Sequence, residues 1–237
     1  MAISTNPLAW LRSVQPRRAI ALLLLLLPLT VGAQTVRDLW LSMPPSLAPY
    51  LSTSLRTQCL DFYDMHTDAQ TDNALKGKSR IDTLTSTFLA ATLSKAHTLQ
   101  MKLLPASGSG LGSSLGSGSV SSSSLSSCDS VLCVVRSWDG PKRDSEVQLF
   151  DRQWKPLQAP FTFSADSFVC RPDTMSEERF SRLVALLDPI MFSVSLSPAE
   201  NVLLVKLSPV VPNPDDEKAI EQILVQRKLK WDGKTFK

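Results

Sequence analysis

Thr98-Leu-Gln-Met-Lys-Leu-Leu104 alternates apolar and polar side chains, with Leu99, Met101 and Leu103 on one face and Gln100 and Lys102 on the other. A period of two belongs to a half-buried strand; a helix would bring its apolar residues back every three or four positions. Val131-Leu-Cys-Val-Val-Arg-Ser-Trp138 and Glu146-Val-Gln-Leu-Phe150 follow as further strands. Between Leu104 and Val131 lies a tract, residues 106–127, that is almost wholly Ser and Gly, with Leu111, Leu115, Val120 and Leu125 scattered through it. Such composition behaves as a flexible coil. Loop-closure cost rises only with the logarithm of length, so two strands split this way can still pair. The tract reads as an insertion with no role of its own, and a tether or glycan-bearing segment is the sharper alternative.

The N-terminus reads as an export signal. Arg12, Arg17 and Arg18 precede the apolar run 19–27, and Val31-Gly-Ala33 offers small residues where a signal peptidase cuts. An N-terminal membrane anchor is the competing reading, but so short a run spans a bilayer poorly. Gln34 stands where a lipid-bearing Cys would be needed. Cleavage after Ala33 removes three Arg and no acid, so 25 Lys and Arg fall to 22, against 22 Asp and Glu. The mature chain is formally neutral, which argues against nucleic acid or an acidic membrane surface as partner. It is expected in the periplasm or outside the cell, with no stable transmembrane span once the signal is gone.

In an exported chain the four cysteines, Cys59, Cys128, Cys133 and Cys170, permit two disulfides in three connectivities. Cys128 and Cys133, if both extended, sit roughly 16 Å apart, too far to bond each other. Cys133 alternates with Val131 and Val135 and reads as a small core residue.

Helical spacing of Val36, Leu39, Trp40 and Met43 behind Thr35 predicts a short helix ended by Pro44-Pro45. A second helix is predicted from a Ser46 cap, with Leu47, Tyr50, Leu51, Leu55, Cys59 and Phe62 on one stripe. Residues 64–80 read as polar connection, and 87–93 as a first strand. Thr174-Met-Ser-Glu177 has capping-box spacing before a helix carrying Phe180, Leu183, Val184 and Leu187. Residues 192–196 and 202–207 read as a hairpin. Asn213-Pro-Asp-Asp-Glu217 opens a last helix, and Lys228-Leu-Lys-Trp231 closes as a strand. Together these predict one α+β domain over 34–237, with an antiparallel sheet of six or seven strands and helices packed on one face. Leu93-Ser-Lys-Ala96 and Leu196-Ser-Pro-Ala199 echo each other, as do Ser137-Trp-Asp-Gly140 and Lys230-Trp-Asp-Gly233, which would suit two similar helix-plus-hairpin halves.

Leu39-Trp-Leu-Ser-Met-Pro44, Leu47-Ala-Pro-Tyr-Leu51, Lys76-Gly-Lys-Ser79, Leu99-Gln-Met-Lys-Leu-Leu-Pro105 and Trp154-Lys-Pro-Leu157 occur in a familiar order. On them the chain resembles exported Bacteroidales proteins grouped as Domain of Unknown Function 3256. The resemblance covers nearly all of the mature chain and departs from the family pattern at 106–127. It implies no activity and carries no catalytic residues to transfer.

Candidate chemistry is thin. Gly112-Ser-Ser-Leu-Gly116 matches a nucleophile elbow in letters, but that turn needs a strand before it and a helix after it. Gly77-Lys78-Ser79 imitates the end of a P-loop, yet Asp72 occupies the position of its first glycine. Asp64, His66, Asp68 and Asp72 alternate like a calcium loop, but Ala69 and Leu75 stand where Gly and a bidentate Glu are required. The acids Glu177, Glu178, Asp215, Asp216 and Glu217 favour helix N-termini and need no catalytic role. No catalytic, cofactor or metal residues are assigned. Trp138 and Trp231, beside Asp-Gly turns, are the residues assigned to a binding face. The expectation is a non-enzymatic exported module that binds an envelope protein. A small-molecule or glycan-binding envelope protein is the alternative.

Overall fold

The computed structural model describes residues 34–106, 130–158 and 161–237. The export signal, the elbow-like Gly112–Gly116 motif, residues 107–127 of the tract and Cys128 lie outside them. Seven antiparallel strands form one sheet in sequence order. These are β1 (Thr71–Asp72), β2 (Lys78–Leu84), β3 (Phe88–Ser94), β4 (His97–Pro105), β5 (Ser130–Asp139), β6 (Arg143–Phe150) and β7 (Pro156–Leu157). The strands flanking the tract do pair, from His97 opposite Trp138 to Pro105 opposite Ser130.

Helices α1 (Val36–Ser42) and α2 (Thr53–Asp64) cover one face of this sheet. Thr35 caps α1 as predicted: its hydroxyl accepts from Asp38 N–H while the Asp38 carboxylate accepts from Thr35 N–H at 2.8 Å. The Thr35 backbone N–H and the Thr35 hydroxyl, both donating to that carboxylate at 2.8 Å, hold it below its ordinary range. Leu39, Trp40, Met43 and Leu60 pack there against Leu89, Leu93, Leu99, Met101, Leu132 and Val134. Each such side chain, fully buried, contributes about 1.5–3 kcal/mol.

The second helix starts later than predicted, at a Ser52 cap rather than Ser46. Buried Arg56 supplies the reason. Its guanidinium donates to the carbonyls of Leu51 and Leu41 at 3.2 and 3.1 Å, holding 44–51 as turns that still bury Leu47, Ala48 and Leu51. Pro49 also disfavours helix at the residue before it.

A second, three-stranded antiparallel sheet lies on the opposite face, ordered β10 (Arg227–Lys230), β9 (Val202–Leu207), β8 (Phe192–Leu196). It packs with α3 (Glu177–Ala185) and α4 (Pro214–Glu221). Asn213 caps α4, with Pro214 in its first turn, as predicted. The cap of α3 is Ser176, two residues beyond the predicted Thr174. β5 is therefore buried on both sides: Leu132 and Val134 enter one core, and Val131, Cys133 and Val135 the other.

This second sheet corrects the reading of β4 as half wet. Lys102 is 2% exposed, and its ammonium donates to the carbonyls of Ser197, Pro198 and Glu200 at 2.6, 3.0 and 2.8 Å. The free edge of β8 is satisfied in the same way. Val194 N–H donates to Ser145 Oγ at 3.1 Å, and Leu196 N–H to Gln100 Oε1 at 2.7 Å. The polar residues of the alternating strand thus bond the backbone of another sheet, so that edge is not left as a template for stray pairing.

The seven-stranded count holds with different members. Strands 192–196, 202–207 and 228–231 were expected in it and belong to the second sheet; β1, β2 and β7 take their places. Both echoing segments lie in three-stranded meanders, β3-β4-β5 and β8-β9-β10, each ending near a Trp-Asp-Gly turn.

Candidate functional site

Because consecutive strands of the large sheet are neighbours, the turns at 73–77, 95–96 and 140–142 gather at one end. The turns at 85–87 and 151–155 gather at the other, with Pro105 and Ser130. The chain enters at that second end, where Val36 N–H donates to Ser86 O at 3.1 Å.

An aromatic cluster occupies the first end. His97 opens β4, and the register sets Trp138 directly opposite. Their rings stack nearly parallel, 5.1 Å between centroids at 8°. Tyr50, on the turns before α2, places its hydroxyl on His97 Nδ1. On the indole's other neighbour, the Arg136 guanidinium lies 5.4 Å from the ring centroid and donates to Glu146 at 2.6 Å. His97 is 8% exposed, whereas Trp138 is 39% exposed. The indole is held by both neighbours and remains partly exposed.

Burial, and then the nearby Arg136 charge, push the His97 pKa below its ordinary value, while burial pushes Tyr50 up to about 12. Both groups are neutral near pH 7. With the Tyr50 hydroxyl donating to Nδ1, the ring proton sits on Nε2. That nitrogen is shielded from solvent and has no hydrogen-bond partner among the described residues. So enclosed an imidazole is poorly placed for proton transfer to a substrate. It suits the support of an aromatic surface.

Trp231 lies elsewhere. Its Nε1 donates to Pro105 O at 2.7 Å, its ring packs 5.0 Å from Phe236, and it is buried. His97 and Pro105 are the two ends of β4, so the tryptophans are separated by the length of that strand, roughly 26 Å. The structure does not join them on one binding face, and only Trp138 offers exposed ring.

The remaining candidates disperse. Asp64 is clamped by Arg37, whose Nη1 donates at 2.9 Å, and this pairing holds its carboxyl down. Asp72 pairs with Lys78 at 2.6 Å. Lys76-Gly-Lys-Ser79 is the turn and first residues of the β1–β2 hairpin, organised by Asn73 Oδ1, which accepts from Leu75 and Gly77 N–H, both at 3.0 Å. Glu177 meets Arg171 at 3.3 Å, and Glu217 pairs with Lys142. Among the described residues no group of three or more His, Cys, Asp or Glu is arranged to hold a metal. Cys59, Cys133 and Cys170 are free thiols; burial pushes the first two up, away from thiolate chemistry. No helix among the described residues is long and apolar enough to cross a membrane.

No spacing in the sequence groups Tyr50, His97 and Arg136 with Trp138. Only the β4–β5 register brings His97 to Trp138, and the tract hides that register.

A search of curated proteins returns no match. A domain of an uncharacterized protein from Porphyromonas gingivalis W83 superposes with a TM-score of 0.63, at 22% identity over 85% of this chain and 98% of that one. At that identity the likeness is one of fold. The family model described as Protein of unknown function (DUF3256) matches residues 28–111 and 119–236. Those two segments take in every strand and helix above, and the chain belongs to the DUF3256 family.

Proposed function

We propose that this protein is an exported, non-enzymatic binding module that presents the Trp138 end of its large sheet to an envelope protein. Support for export to the periplasm or beyond is the basic and apolar leader with its small-residue exit at Ala33. The binding role rests on one observation: an exposed indole held rigid by a buried histidine. An aromatic ring already fixed in place loses little freedom when a partner covers it, which is why such residues serve as anchors. Leu75, 66% exposed, sits on the neighbouring turn, which Ala74 N–H ties to Tyr50 O at 3.1 Å. Lys76 and Lys95 occupy two of the turns at this end, so a partner with apolar and acidic side chains would fit it.

The test is capture from the native envelope fraction by the tagged mature chain beside its Trp138→Ala and Leu75→Ser variants. A protein retained by the wild type and lost from both variants supports the reading. Equal retention by all three, or measurable turnover of a substrate by the purified protein, overturns it. Glycan-array binding that depends on Trp138 would favour the small-molecule or glycan alternative instead.

A further inference from the structure

A groove of about 350 Å³ opens between residues 161–168 and β10, far removed in character from the Trp138 end. Phe161, Phe163, Phe168, Leu229 and Phe236 line it, with Arg227 exposed among them. The phenyl rings form a connected set: Phe161 lies 5.6 Å from both Phe163 and Phe236, and Phe163 lies 6.2 Å from Phe168. Phe168 and Phe236 are buried, whereas Phe161 and Phe163 are only half-buried and keep ring surface free.

The charge at this groove is one-sided. Arg227 Nε donates to the Ser167 carbonyl at 2.9 Å, which fixes the guanidinium beside the rings. No carboxylate lies within ion-pair distance of it among the described residues, and none lines the groove. Two other clefts are built differently. That of about 290 Å³ beside α4 sets Glu217 and Glu221 against Lys142 and Lys206. That of about 490 Å³ beside Tyr63 sets Asp68 and Asp82 against Arg80. The first balances its charge and the second carries an excess of acid, whereas the phenylalanine groove holds a cation and no acid.

We propose that this groove binds a monocarboxylate with an aryl or short acyl body, the carboxylate on the η nitrogens of Arg227 and the body among the phenyl rings. A guanidinium with both η groups free matches a carboxylate in two parallel hydrogen bonds. The apolar walls supply the rest of the affinity, and the volume falls at the small end of ordinary ligand sites. The groove shares no residue with the Trp138 end, so this assignment does not depend on the proposed protein partner.

The probes are 4-phenylbutyrate and its neutral match, 4-phenylbutanamide, titrated calorimetrically into the purified full chain. The acid should bind saturably and more tightly than the amide. Arg227→Gln should weaken the acid about tenfold or more, in keeping with loss of charge-assisted bonds, and leave the amide unchanged. Phe163→Ser should weaken both, and Trp138→Ala neither. Arg227 is exposed on an edge strand, so its variant tests the site even if Phe163→Ser does not fold. No saturable binding of the acid, equal affinity for acid and amide, or an Arg227→Gln variant that binds the acid like wild type overturns the assignment.

Discussion

Lys102→Met removes a cation from the junction of the two sheets while keeping most of the side-chain volume. Lys102 crosses from β4 to the β8–β9 turn and donates to three carbonyls, of Ser197, Pro198 and Glu200. Hydrogen bonds from a charged donor contribute about 1.5–3 kcal/mol each. Taking an ammonium out of water costs several kcal/mol in the other direction. That burial is what lowers the Lys102 pKa, while the Glu200 charge raises it. Methionine relieves the ammonium's cost but removes the Lys102 donor from the Ser197 and Pro198 carbonyls and one of two donors from Glu200 O, so a net loss of about 3 kcal/mol is expected. For a domain of this size that corresponds to a fall in Tm of roughly 6–12 °C. The assay is thermal and urea unfolding by circular dichroism. Hydrogen exchange at residues 195–203 tells whether the β8–β9 turn loosens first. The Glu200 carboxylate pairs with Lys228 at 2.5 Å, and only its backbone carbonyl meets Lys102. Glu200→Gln should therefore leave stability within about 1 kcal/mol, as for other exposed pairs. A Lys102→Met protein as stable as wild type would falsify the view that this cation fastens the second sheet.

The His97 pKa is lower in the folded chain than in the unfolded one, so its contribution is fully present above the unfolded value near 6.5 and is lost as pH falls through the folded value. Urea midpoints should thus drop from pH 7.5 to pH 5 by more in wild type than in His97→Asn; equal slopes would contradict this. Trp138→Ala should cost under about 1 kcal/mol, because its ring is partly exposed and packs mainly on His97; a larger loss by urea titration would mean that the indole is structural. Replacing residues 106–129 by a four-residue turn shortens the connection roughly sixfold and should stabilise the fold by about 1.5 kcal/mol, since Pro105 and Ser130 are already paired. An insoluble or destabilised product would show that the tract does more than connect.

What sequence pattern revealed, and what it hid, follows from how each residue is satisfied. Val36, Leu39 and Trp40 behind Thr35 spell out α1 because cap, spacing and burial all agree. Asn213-Pro214 does the same for α4. β2 went unread because only Ser79 and Ile81 of Lys-Ser-Arg-Ile-Asp-Thr-Leu face inward, and buried Ser79 does not advertise itself as core. Its hydroxyl donates to Leu93 O at 2.7 Å, a long-range bond that no local pattern encodes. Lys102 misled for a related reason, since a lysine on a strand looks wet unless its carbonyl partners, more than ninety residues later, are known. The candidate site was half legible. Residue type and turn context mark Trp138, but His97 and Tyr50 join it only through strand register and the refusal of 44–51 to be helical.

The meander gives the domain a handle at one end and its exposed indole at the other. Val36 meets Ser86 at the end where Pro105 and Ser130 also lie, while Trp138 stands at the opposite end. A sensor chip, bead or fluorescent protein attached at Gln34, or spliced between Ala106 and Ser130, would hold the domain by its handle and leave the indole facing solution. Coupling at Lys76 or Lys95 would do the reverse, masking the surface proposed to bind.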